Sequence, residues 1–493
     1  MSSKVLELNP KVVEFLKDPI KLFIDGEWQA SVEENTFTAE NPATGEVLAV
    51  VHEAGEQDVD KAVKAAKQAF ETGEWPALSA YERSQLMHKL ANLMERDFEI
   101  LAQLDTLDNG KPLKEVTGSD LPGAIENLRY FAGWTTKMTG QTIPVSESFF
   151  NYTRHEPVGV VGQIIPWNFP IMMALWKIAP AIATGCTVVL KPAEQTPLSA
   201  LYLAKLVEEA GFPKGVINIV NGFGKTAGNA LVSHPDVNKI AFTGSTATGR
   251  AIMKSAADTM KRVTLELGGK SPNIILPDAD LDKAIPGVFN GIMVNQGEVC
   301  CAGSRVYIPD DIFDEVVNKM KEYAENVTLG DGLDAETDMG PLVSKKQFET
   351  VTSYIEKGIK EGATMLVGGE NKGKGYFVSP TVFTGVDEDM TIAKEEIFGP
   401  VVVAMPYSSI DEVIERANAS SYGLAAGLWT ENLKNAHRIS NKLKAGTVWV
   451  NCYNLTNAAV PFGGYKESGF GREMGSYALE NYTEVKSVWI GLD

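Results

Sequence analysis

The sequence predicts an α/β protein with two domains built on parallel β-sheets and a separate β-rich part. From about residue 157 to 268, short apolar runs alternate with stretches of helical periodicity. This alternation is typical of a parallel sheet whose strands are buried on both faces. Residues 266 to about 470 repeat the style with a different spacing, which predicts a second α/β domain.

The individual elements follow from local patterns in chain order. Residues 58–72 begin with an aspartate cap and carry apolar residues on one face, which predicts an amphipathic helix. Residues 79–107 predict one longer helix that ends before Asn109-Gly110-Lys111-Pro112. The α/β region is then expected to alternate strands with helices. The predicted strands are, in chain order, VGVVGQII, TVVLKP, VINIVNG, KIAFTG and VTLELGG, and the helices between them lie at 170–183, at 197–210, near 225–233 and from about 246.

Two β-rich stretches stand apart from these regions, namely residues 135–157 and the tail EVKSVWIG at 484–491. An apolar strand that belongs to no local sheet needs a partner edge. We therefore expect a homo-oligomer.

Length and charge exclude several classes of protein. A chain of 493 residues corresponds to about three domains as a prior and needs no disulfide staples to bury a core. The net charge of −19 disfavours nucleic acids and anionic membranes as partners. Residues 157–176 form an uncharged run about long enough to span a bilayer, but its prolines, glycines and amides indicate buried strands and turns.

The four cysteines and five histidines show no metal-ligand spacing, so no metal site is expected. Such sparse cysteines are typical of a reducing compartment. The N-terminal segment MSSKVLELNPKVVEFLKDP is charged, lacks the apolar core of a signal peptide and is not an arginine-rich transit peptide. A cytoplasmic protein is therefore predicted.

One glycine-containing loop is a candidate phosphate site. The Gly-x-Gly-x-x-Gly fingerprint follows no predicted strand, and Ile219 occupies the position where a P-loop ending at 224–226 would need its first glycine. FTGSTATG at 242–249, however, follows a strand and opens a helix. There Gly244 frees the turn, and Ser245 and the helix N–H groups can hold a pyrophosphate. An ordinary helix cap is the alternative interpretation.

Lys191 and Glu194 follow the strand TVVL at the edge of the sheet where such folds bind ligands. They can hold ribose hydroxyls, and the acid would repel a 2′-phosphate, which favours NAD over NADP. A solvated ion pair on a loop explains the same two residues.

Three side chains are candidates for chemistry. Cys300 and Cys301 lie in the Gly- and Asn-rich segment FNGIMVNQGEVCCAGSR. They are interpreted either as the site of a thiol nucleophile or as two small buried side chains. Glu266 is at the end of an apolar strand, and it is either a general base with a raised pKa or a salt-bridge partner. Asn168, between two prolines, is an oxyanion donor or a turn residue.

Taken together, the motifs resemble those of the aldehyde dehydrogenase superfamily, in that family's order and over essentially the whole chain. The match is most similar to the broad NAD-dependent enzymes that act on aliphatic, aromatic or retinoid aldehydes. The motifs are PWNFP at 166–170, KPAEQTPLSAL at 191–201, FTGSTATG at 242–249, ELGGKSPNII at 266–275, NQGEVCCAGSR at 295–305, EEIFGPV at 395–401 and PFGGYKESGFGRE at 461–473.

The resemblance implies a Rossmann-like NAD-binding domain at 1–134 and 158–265, a catalytic domain at 266–470, and an oligomerisation arm at 135–157 and 471–493. Dimers or tetramers are the family's assemblies, and the homotetramer is our prediction. The implied reaction is oxidation of an aldehyde to a carboxylic acid.

The resemblance also implies a role for each matching residue. Cys300 would attack the aldehyde, Asn168 and the Cys300 N–H would hold the oxyanion, and Glu266 would activate the water that hydrolyses the thioester. Lys177 and Glu473 would form a proton path. The implied NAD-binding residues are Ile164, Pro166, Trp167, Lys191, Glu194, Gly224, Phe242, Gly244, Ser245, Glu396 and Phe398.

The implied substrate pocket contains two residues, Gly123 and Thr456, that are small where some relatives carry bulky side chains. Less side-chain volume predicts a wider tunnel and tolerance of long or bulky, retinal-like aldehydes. The full predicted lining is Gly123, Phe169, Met173, Trp176, Val299, Cys301, Thr456 and Phe462.

Three other functions are compatible with the same motifs. A coenzyme-A-acylating relative would use a thiol instead of water, although a base at Glu266 favours water. A structural or interaction protein would bind NAD without catalysis. A cysteine hydrolase would use the thiol without a dinucleotide.

Overall fold

The computed structural model describes residues 5–370 and 374–493, so the first four residues of the N-terminal segment discussed above lie outside the described residues. Helices flank two large sheets. The α-helices are α1 Pro10–Lys17, α2 Glu56–Glu71, α3 Ala80–Arg96, α4 Phe98–Asn109, α5 Leu113–Glu115, α6 Leu121–Ala132, α7 Pro170–Thr184, α8 Leu198–Ala210, α9 Asn229–Ser233, α10 Thr246–Ala257, α11 Leu281–Met293, α12 Phe313–Glu325, α13 Lys345–Glu361, α14 Thr391–Lys394, α15 Ile410–Asn418, α16 Leu433–Ser440 and α17 Tyr477–Glu480.

Short helical turns of other types complete the helical structure. They are the 3₁₀ turns Trp75–Ala77, Val294–Gly297 and Asp310–Ile312 and the π-helical turns Val116–Asp120 and Gly224–Gly228. The strands are β1 Leu22–Ile24, β2 Glu27–Gln29, β3 Thr36–Glu40, β4 Val47–His52, β5 Thr142–Ile143, β6 Phe149–Pro157, β7 Val160–Ile164, β8 Thr187–Lys191, β9 Ile217–Ile219, β10 Lys239–Thr243, β11 Arg262–Glu266, β12 Pro272–Ile275, β13 Arg305–Pro309, β14 Thr364–Val367, β15 Thr381–Thr384, β16 Val401–Tyr407, β17 Tyr422–Gly423, β18 Ala425–Trp429, β19 Thr447–Val450, β20 Tyr465–Lys466, β21 Gly469–Phe470 and β22 Thr483–Gly491.

The first large sheet has the strand order β2-β1-β9-β8-β7-β10-β11-β21. Its five central strands, from β9 to β11, are parallel. The chain runs from β7 outward through β8 to β9 and then returns to the other side of β7 as β10. The order therefore reverses between β7 and β10, and ligands of such folds bind outside the carboxyl ends of the strands at this switch point.

The second large sheet has the order β14-β15-β16-β13-β12-β18-β19, and its strands are parallel except for the edge strand β14. The burial of central strands such as β8 and β13 on both faces explains their continuous apolar runs. The predicted α/β fold class is confirmed by these two sheets. The division into the three residue ranges given above stays a prediction.

The β-rich stretches that stood apart in the sequence lie together. The tail strand β22 pairs along its whole length with β6, and β6 also pairs with β5, so the three form one antiparallel sheet. Its exposed apolar side chains are Ile143, Phe149, Phe150, Val485, Trp489 and Ile490.

One predicted element is wrong in its extent. The single helix expected at 79–107 is two helices, α3 and α4, that meet at Asp97. The Asp97 backbone leaves the helical region (φ −100°, ψ 26°). Its carboxylate accepts hydrogen bonds from the Arg96 guanidinium (2.8 and 2.9 Å) and the Tyr202 hydroxyl (2.9 Å). These side-chain contacts hold Asp97 between the two helices, although its carboxylate makes no capping hydrogen bond to α4, and apolar periodicity alone does not reveal them.

We find no helix within 5–370 and 374–493 that combines the length and apolar character needed to cross a membrane.

Candidate active site

A cleft of about 540 Å³ opens at the carboxyl ends of β7, β10 and β11 and extends to segments of the second sheet's region. Seventeen of the predicted site residues line it. They are Asn168, Glu266, Cys300, Pro166, Trp167, Gly244, Ser245, Glu396, Phe398, Phe169, Met173, Trp176, Val299, Cys301, Thr456, Phe462 and Glu473. Seven others, Gly123, Ile164, Lys177, Lys191, Glu194, Gly224 and Phe242, do not form its wall.

Cys300 lies on the segment that follows the 3₁₀ turn Val294–Gly297, and its side chain is half-buried at the cleft. A hydrogen bond to Cys301, together with burial, raises the pKa of the Cys300 thiol well above its usual value. The backbone at this point needs a glycine as neighbour, since a Cβ at Gly269 would lie 2.3 Å from the Cys300 carbonyl oxygen. The thiol therefore rests in its neutral form beside the cleft and needs a base before it can react as a thiolate.

Asn168 lies in the loop after β7, directly before α7. Its side-chain Nδ2 donates to the Glu298 carbonyl (2.8 Å), two residues before Cys300. An amide nitrogen has two N–H groups, so the second remains for a ligand in the cleft. The Asn168 carbonyl accepts a hydrogen bond from Lys111 Nζ (2.7 Å). The asparagine is therefore held at both its backbone and its side chain, which a simple turn residue does not require.

Glu266 is the last residue of β11, between Thr243 of β10 and Gly469 of β21. It is 5% exposed, and neither carboxyl oxygen has a hydrogen-bond partner in the part of the chain that the structure describes. Burial and the neighbouring Glu473 carboxylate raise its pKa well above the usual glutamate value. A carboxylate that faces a cleft without a partner is suited to bind and deprotonate water.

Lys177 and Glu473 form a buried ion pair next to this carboxylate. Lys177 lies on α7, and its backbone carbonyl accepts from Gln163 Nε2 (2.7 Å) of β7. Glu473 lies at the cleft wall, and its second oxygen finds no partner among the residues described. The pair therefore extends from the cleft into the core beneath it.

The loop after β10 has the features of a phosphate-binding site. Ser245 caps α10, its Oγ accepting from Thr248 N (3.3 Å). Gly244 is required there because a Cβ would lie 2.6 Å from the Phe242 ring. The first N–H groups of a helix have no partner within the helix and attract anions. The buried Thr243 hydroxyl, at the same wall, has no partner within the described ranges.

Lys191 and Glu194 lie farther along the same edge of the sheet, 3.6 Å apart. Lys191 is buried and donates to the carbonyls of Pro192 (2.8 Å) and Gly222 (2.7 Å), so the alternative of a solvated loop pair does not apply to it. Burial lowers the pKa of Lys191. Gly224 opens the neighbouring π-helical turn, and a Cβ there would meet nothing within 4 Å. This open, glycine-containing edge fits an adenosine ribose.

Glu396 and Phe398 come from the loop before β16. Glu396 Oε1 accepts from Gly269 N (2.9 Å), and burial raises the pKa of Glu396 to about 7. Phe398 adopts a left-handed backbone (φ 59°), and its carbonyl accepts from Gln347 Nε2 (2.7 Å). Its ring meets that of Trp167 edge to face, with centroids 5.1 Å apart. Together with the phosphate-binding loop before α10, these groups fit a dinucleotide that extends from the sheet edge to Cys300.

The predicted substrate pocket is mostly apolar. Trp176 and Phe462 pack edge to face with ring centroids 5.6 Å apart. Gly123 does not line the cleft, and a Cβ at this position would be 3.8 Å from the Met172 sulfur. A larger side chain at 123 would therefore act through Met172, which itself lines the cleft.

Several residues around the cleft were missed by the sequence analysis. Lys111 is fully buried and paired with Asp120 (2.7 Å), although its Asn-Gly-Lys-Pro context predicts only a turn. Glu115 accepts from Asn295 N (3.0 Å), and burial raises its pKa to about 7. Lys111 also donates to the Asn168 carbonyl, 57 residues away, and Glu115 and Asn295 are 180 residues apart, so no local pattern reveals these contacts. Further lining residues outside the prediction include Met172, Thr243, Gln347 and Asn454.

Comparison with known proteins gives one consistent result. The model of the aldehyde dehydrogenase family matches residues 28–488. DhaS of Bacillus subtilis, provisionally named an aldehyde dehydrogenase, is 64% identical, and the alignment covers all of both chains. Human retinal dehydrogenase 2 is 52% identical over 95% of this chain and 91% of its own length.

A solved structure agrees with these sequence relatives. The NAD+ complex of an aldehyde dehydrogenase from Bacillus cereus is 62% identical and superposes with a TM-score of 0.99. The superposition covers 99% of this chain and the whole of that one.

Proposed function

Because the chain belongs to the aldehyde dehydrogenase family, and is therefore an oxidoreductase that oxidises aldehydes with NAD+, we propose that Cys300, Asn168 and Glu266 carry the reaction. The observation that carries this proposal is the convergence of the three side chains on one cleft. A thiol, an amide N–H and an unpartnered carboxylate are the nucleophile, oxyanion donor and base that the oxidation requires.

In the first half of the proposed reaction, the Cys300 thiol gives its proton to solvent in the cleft, and the resulting thiolate sulfur bonds to the aldehyde carbon. The carbonyl oxygen becomes an oxyanion, which the free Asn168 N–H and the Cys300 backbone N–H stabilise. One such donor is typically worth about 3 kcal/mol of barrier. When bound, NAD+ supplies the acceptor for the hydride that leaves this carbon, and a thioester on Cys300 remains.

In the second half, Glu266 takes a proton from water, and the resulting hydroxide adds to the thioester carbon. The carbon–sulfur bond breaks, the carboxylic acid leaves, and the Cys300 thiolate that is released takes up a proton from solvent. A positioned base contributes about 10²–10⁴ in rate. We propose that the Lys177–Glu473 pair then passes the proton from Glu266 toward solvent.

For the cofactor, we assign the pyrophosphate to Gly244 and Ser245, the adenosine ribose to Lys191 and Glu194, and the nicotinamide ribose to Glu396 and Phe398. The buried Lys191 ammonium and the helix start at Ser245 support the first two assignments. We assign the contacts that pack around the bound cofactor to Ile164, Pro166, Trp167, Gly224 and Phe242. The Glu194 carboxylate favours NAD over NADP, because it would repel a 2′-phosphate.

A coenzyme-A-acylating reaction is the remaining alternative. It would release the thioester to a thiol and would need no base to activate water. The position and raised pKa of Glu266 favour hydrolysis. An NADH-production assay run with and without coenzyme A distinguishes the two, because hydrolysis requires none.

We expect long or bulky aldehydes to be accepted, because Thr456 lines the cleft with a small side chain and Gly123 places no side chain against Met172 of the cleft wall. The name of human retinal dehydrogenase 2 supports this direction. Thr456→Phe should lower kcat/KM for a cyclic or long-chain aldehyde by about 10-fold or more, on the scale of 1–3 kcal/mol for pocket contacts, and spare acetaldehyde.

The measurement is NADH formation across an aldehyde panel, with NAD and NADP side by side. Leu455→Phe, a change at the exposed neighbouring residue, is the matched control. A native enzyme that strongly prefers short aldehydes would contradict the proposed substrate class.

We expect Glu473→Gln to shift the acidic limb of the pH–rate profile to lower pH. Glu473 raises the pKa of Glu266, whereas Lys177 lowers it. Without the Glu473 charge, Glu266 should lose its proton at lower pH, so thioester hydrolysis should reach its plateau earlier as the pH rises. The measurement is kcat against pH, with exposed Glu480→Gln as control. An unmoved limb, or one displaced to higher pH, would remove Glu473 from the proton path.

We propose that the antiparallel sheet of β5, β6 and β22 joins copies of the chain into a homotetramer or dimer. Its exposed Phe149, Trp489 and Ile490 support this assignment, since apolar surface on a sheet is typical of an interface. The four free cysteines support the prediction of a cytoplasmic location.

A further inference from the structure

We propose that Asn295 is a positioning residue that holds the oxyanion arm (residues 165–169) in register with the nucleophile loop (residues 294–301). The inference rests on the proposed function, since it assigns the oxyanion donor to the arm and the nucleophile to the loop. Asn295 itself does not line the cleft and touches none of the reacting atoms.

The Asn295 side chain bridges the two segments. It is fully buried, and its Nδ2 donates to the Asn168 carbonyl (2.8 Å) and, more weakly, to the Glu298 carbonyl (3.4 Å). The Asn168 side chain donates to the same Glu298 carbonyl (2.8 Å). Two amides therefore cross-link the arm and the loop around one carbonyl, two residues before Cys300.

Charged side chains fix the outer ends of this bridge. The Asn295 N–H donates to Glu115 (3.0 Å), and the Asn168 carbonyl also accepts from Lys111 Nζ (2.7 Å). Lys111 is in turn paired with Asp120 (2.7 Å) and lies 4.0 Å from the centre of the Phe169 ring. The arm is therefore held firmly, and Asn295 transmits its position to the loop.

The backbone of the loop needs such a restraint. Asn295, Gln296 and Gly297 are three consecutive residues in the left-handed region, with φ of 48°, 55° and 72°. Non-glycine residues are uncommon in this region, a run of three residues in it needs support from the surroundings, and such strain concentrates at functional sites. Without the Asn295 amide, the loop is free to relax, and the Cys300 N–H would separate from the Asn168 N–H.

Asn295→Gly tests the role of the side chain without adding strain, because glycine accepts a positive φ. We expect kcat to fall about 10- to 100-fold, since a displacement of about 1 Å can cost 10²-fold in rate. The dissociation constant of NAD, measured by fluorescence, should stay within twofold. The matched control is Asn451→Gly, which removes an asparagine with φ 55° that is also hydrogen-bonded to backbone, but at Thr430. This control should retain native kcat.

A double-mutant cycle with Asn168→Ala separates positioning from general destabilisation. If Asn295 acts through the oxyanion arm, Asn295→Gly should lower kcat by less than about threefold in the Asn168→Ala background, because the effects of coupled residues are not additive. An equal loss in both backgrounds, or a native kcat for Asn295→Gly, would overturn the proposal. A fully active Asn168→Ala enzyme would overturn the oxyanion assignment itself, which is a distinguishable failure of the proposed function.

Discussion

Cys300→Ala should form no NADH from any aldehyde while it still binds NAD. The sulfur is the atom that bonds to the aldehyde carbon in the proposed reaction, and we expect the adjacent Cys301 not to replace it, because its thiol has a different environment. Its thiol lies 3.7 Å from the Asn454 amide oxygen and is buried. Removing a covalent nucleophile typically lowers kcat by about 10⁴-fold or more.

The measurement combines NADH absorbance with fluorescence titration of NAD. Cys452→Ala, a half-buried cysteine outside the cleft wall, is the matched control and should turn over normally. Mass spectrometry of the native enzyme, quenched during turnover, should find the acyl group on Cys300. Normal turnover by Cys300→Ala would refute the nucleophile assignment.

Glu266→Gln should separate the two halves of the reaction. Glutamine has the same shape but cannot accept a proton, so thioester hydrolysis should slow by about 10²–10⁴-fold. Hydride transfer precedes this step, and a burst of about one NADH per site should therefore survive. A substitute of the same shape is needed because the site is tight: a Cβ at the neighbouring Gly463 would lie 2.7 Å from Glu266 Oε1.

Stopped-flow absorbance measures the burst, and the steady-state slope measures hydrolysis. The acyl-enzyme should accumulate on Cys300 in the variant, whereas Glu480→Gln should resemble the native enzyme. If the burst disappears together with the steady state, Glu266 would instead be the base that activates the Cys300 thiol. Its raised pKa predicts that the native hydrolytic rate increases as the pH rises and Glu266 loses its proton.

The sequence predicted those features that depend on short-range patterns. Glu266 was expected at the end of a buried strand and is the last residue of β11. Ser245 was expected where a strand is followed by a helix, as part of a pyrophosphate site or as an ordinary helix cap, and it caps α10. Both follow from the residue types next to them, since a strand end and a helix start each have a local signature.

The features that were missed depend on distant partners. Lysine in a turn is usually exposed, but Lys111 is fully buried because Asp120 neutralises it and the Asn168 carbonyl, 57 residues away, accepts its hydrogen bond. The tail strand β22 was expected to need an edge, but only the structure identifies β6 as that edge. Hydrophobic periodicity carries no information about which far segment supplies a partner.

The placement of Glu266 between two neighbours has a consequence for folding kinetics. Thr243 on one side is near in the chain, whereas Gly469 on the other side comes from a strand about 200 residues later. Contacts between such remote segments close slowly, because loop-closure entropy opposes them until late in folding. During refolding from denaturant, secondary structure should therefore return before enzymatic competence does.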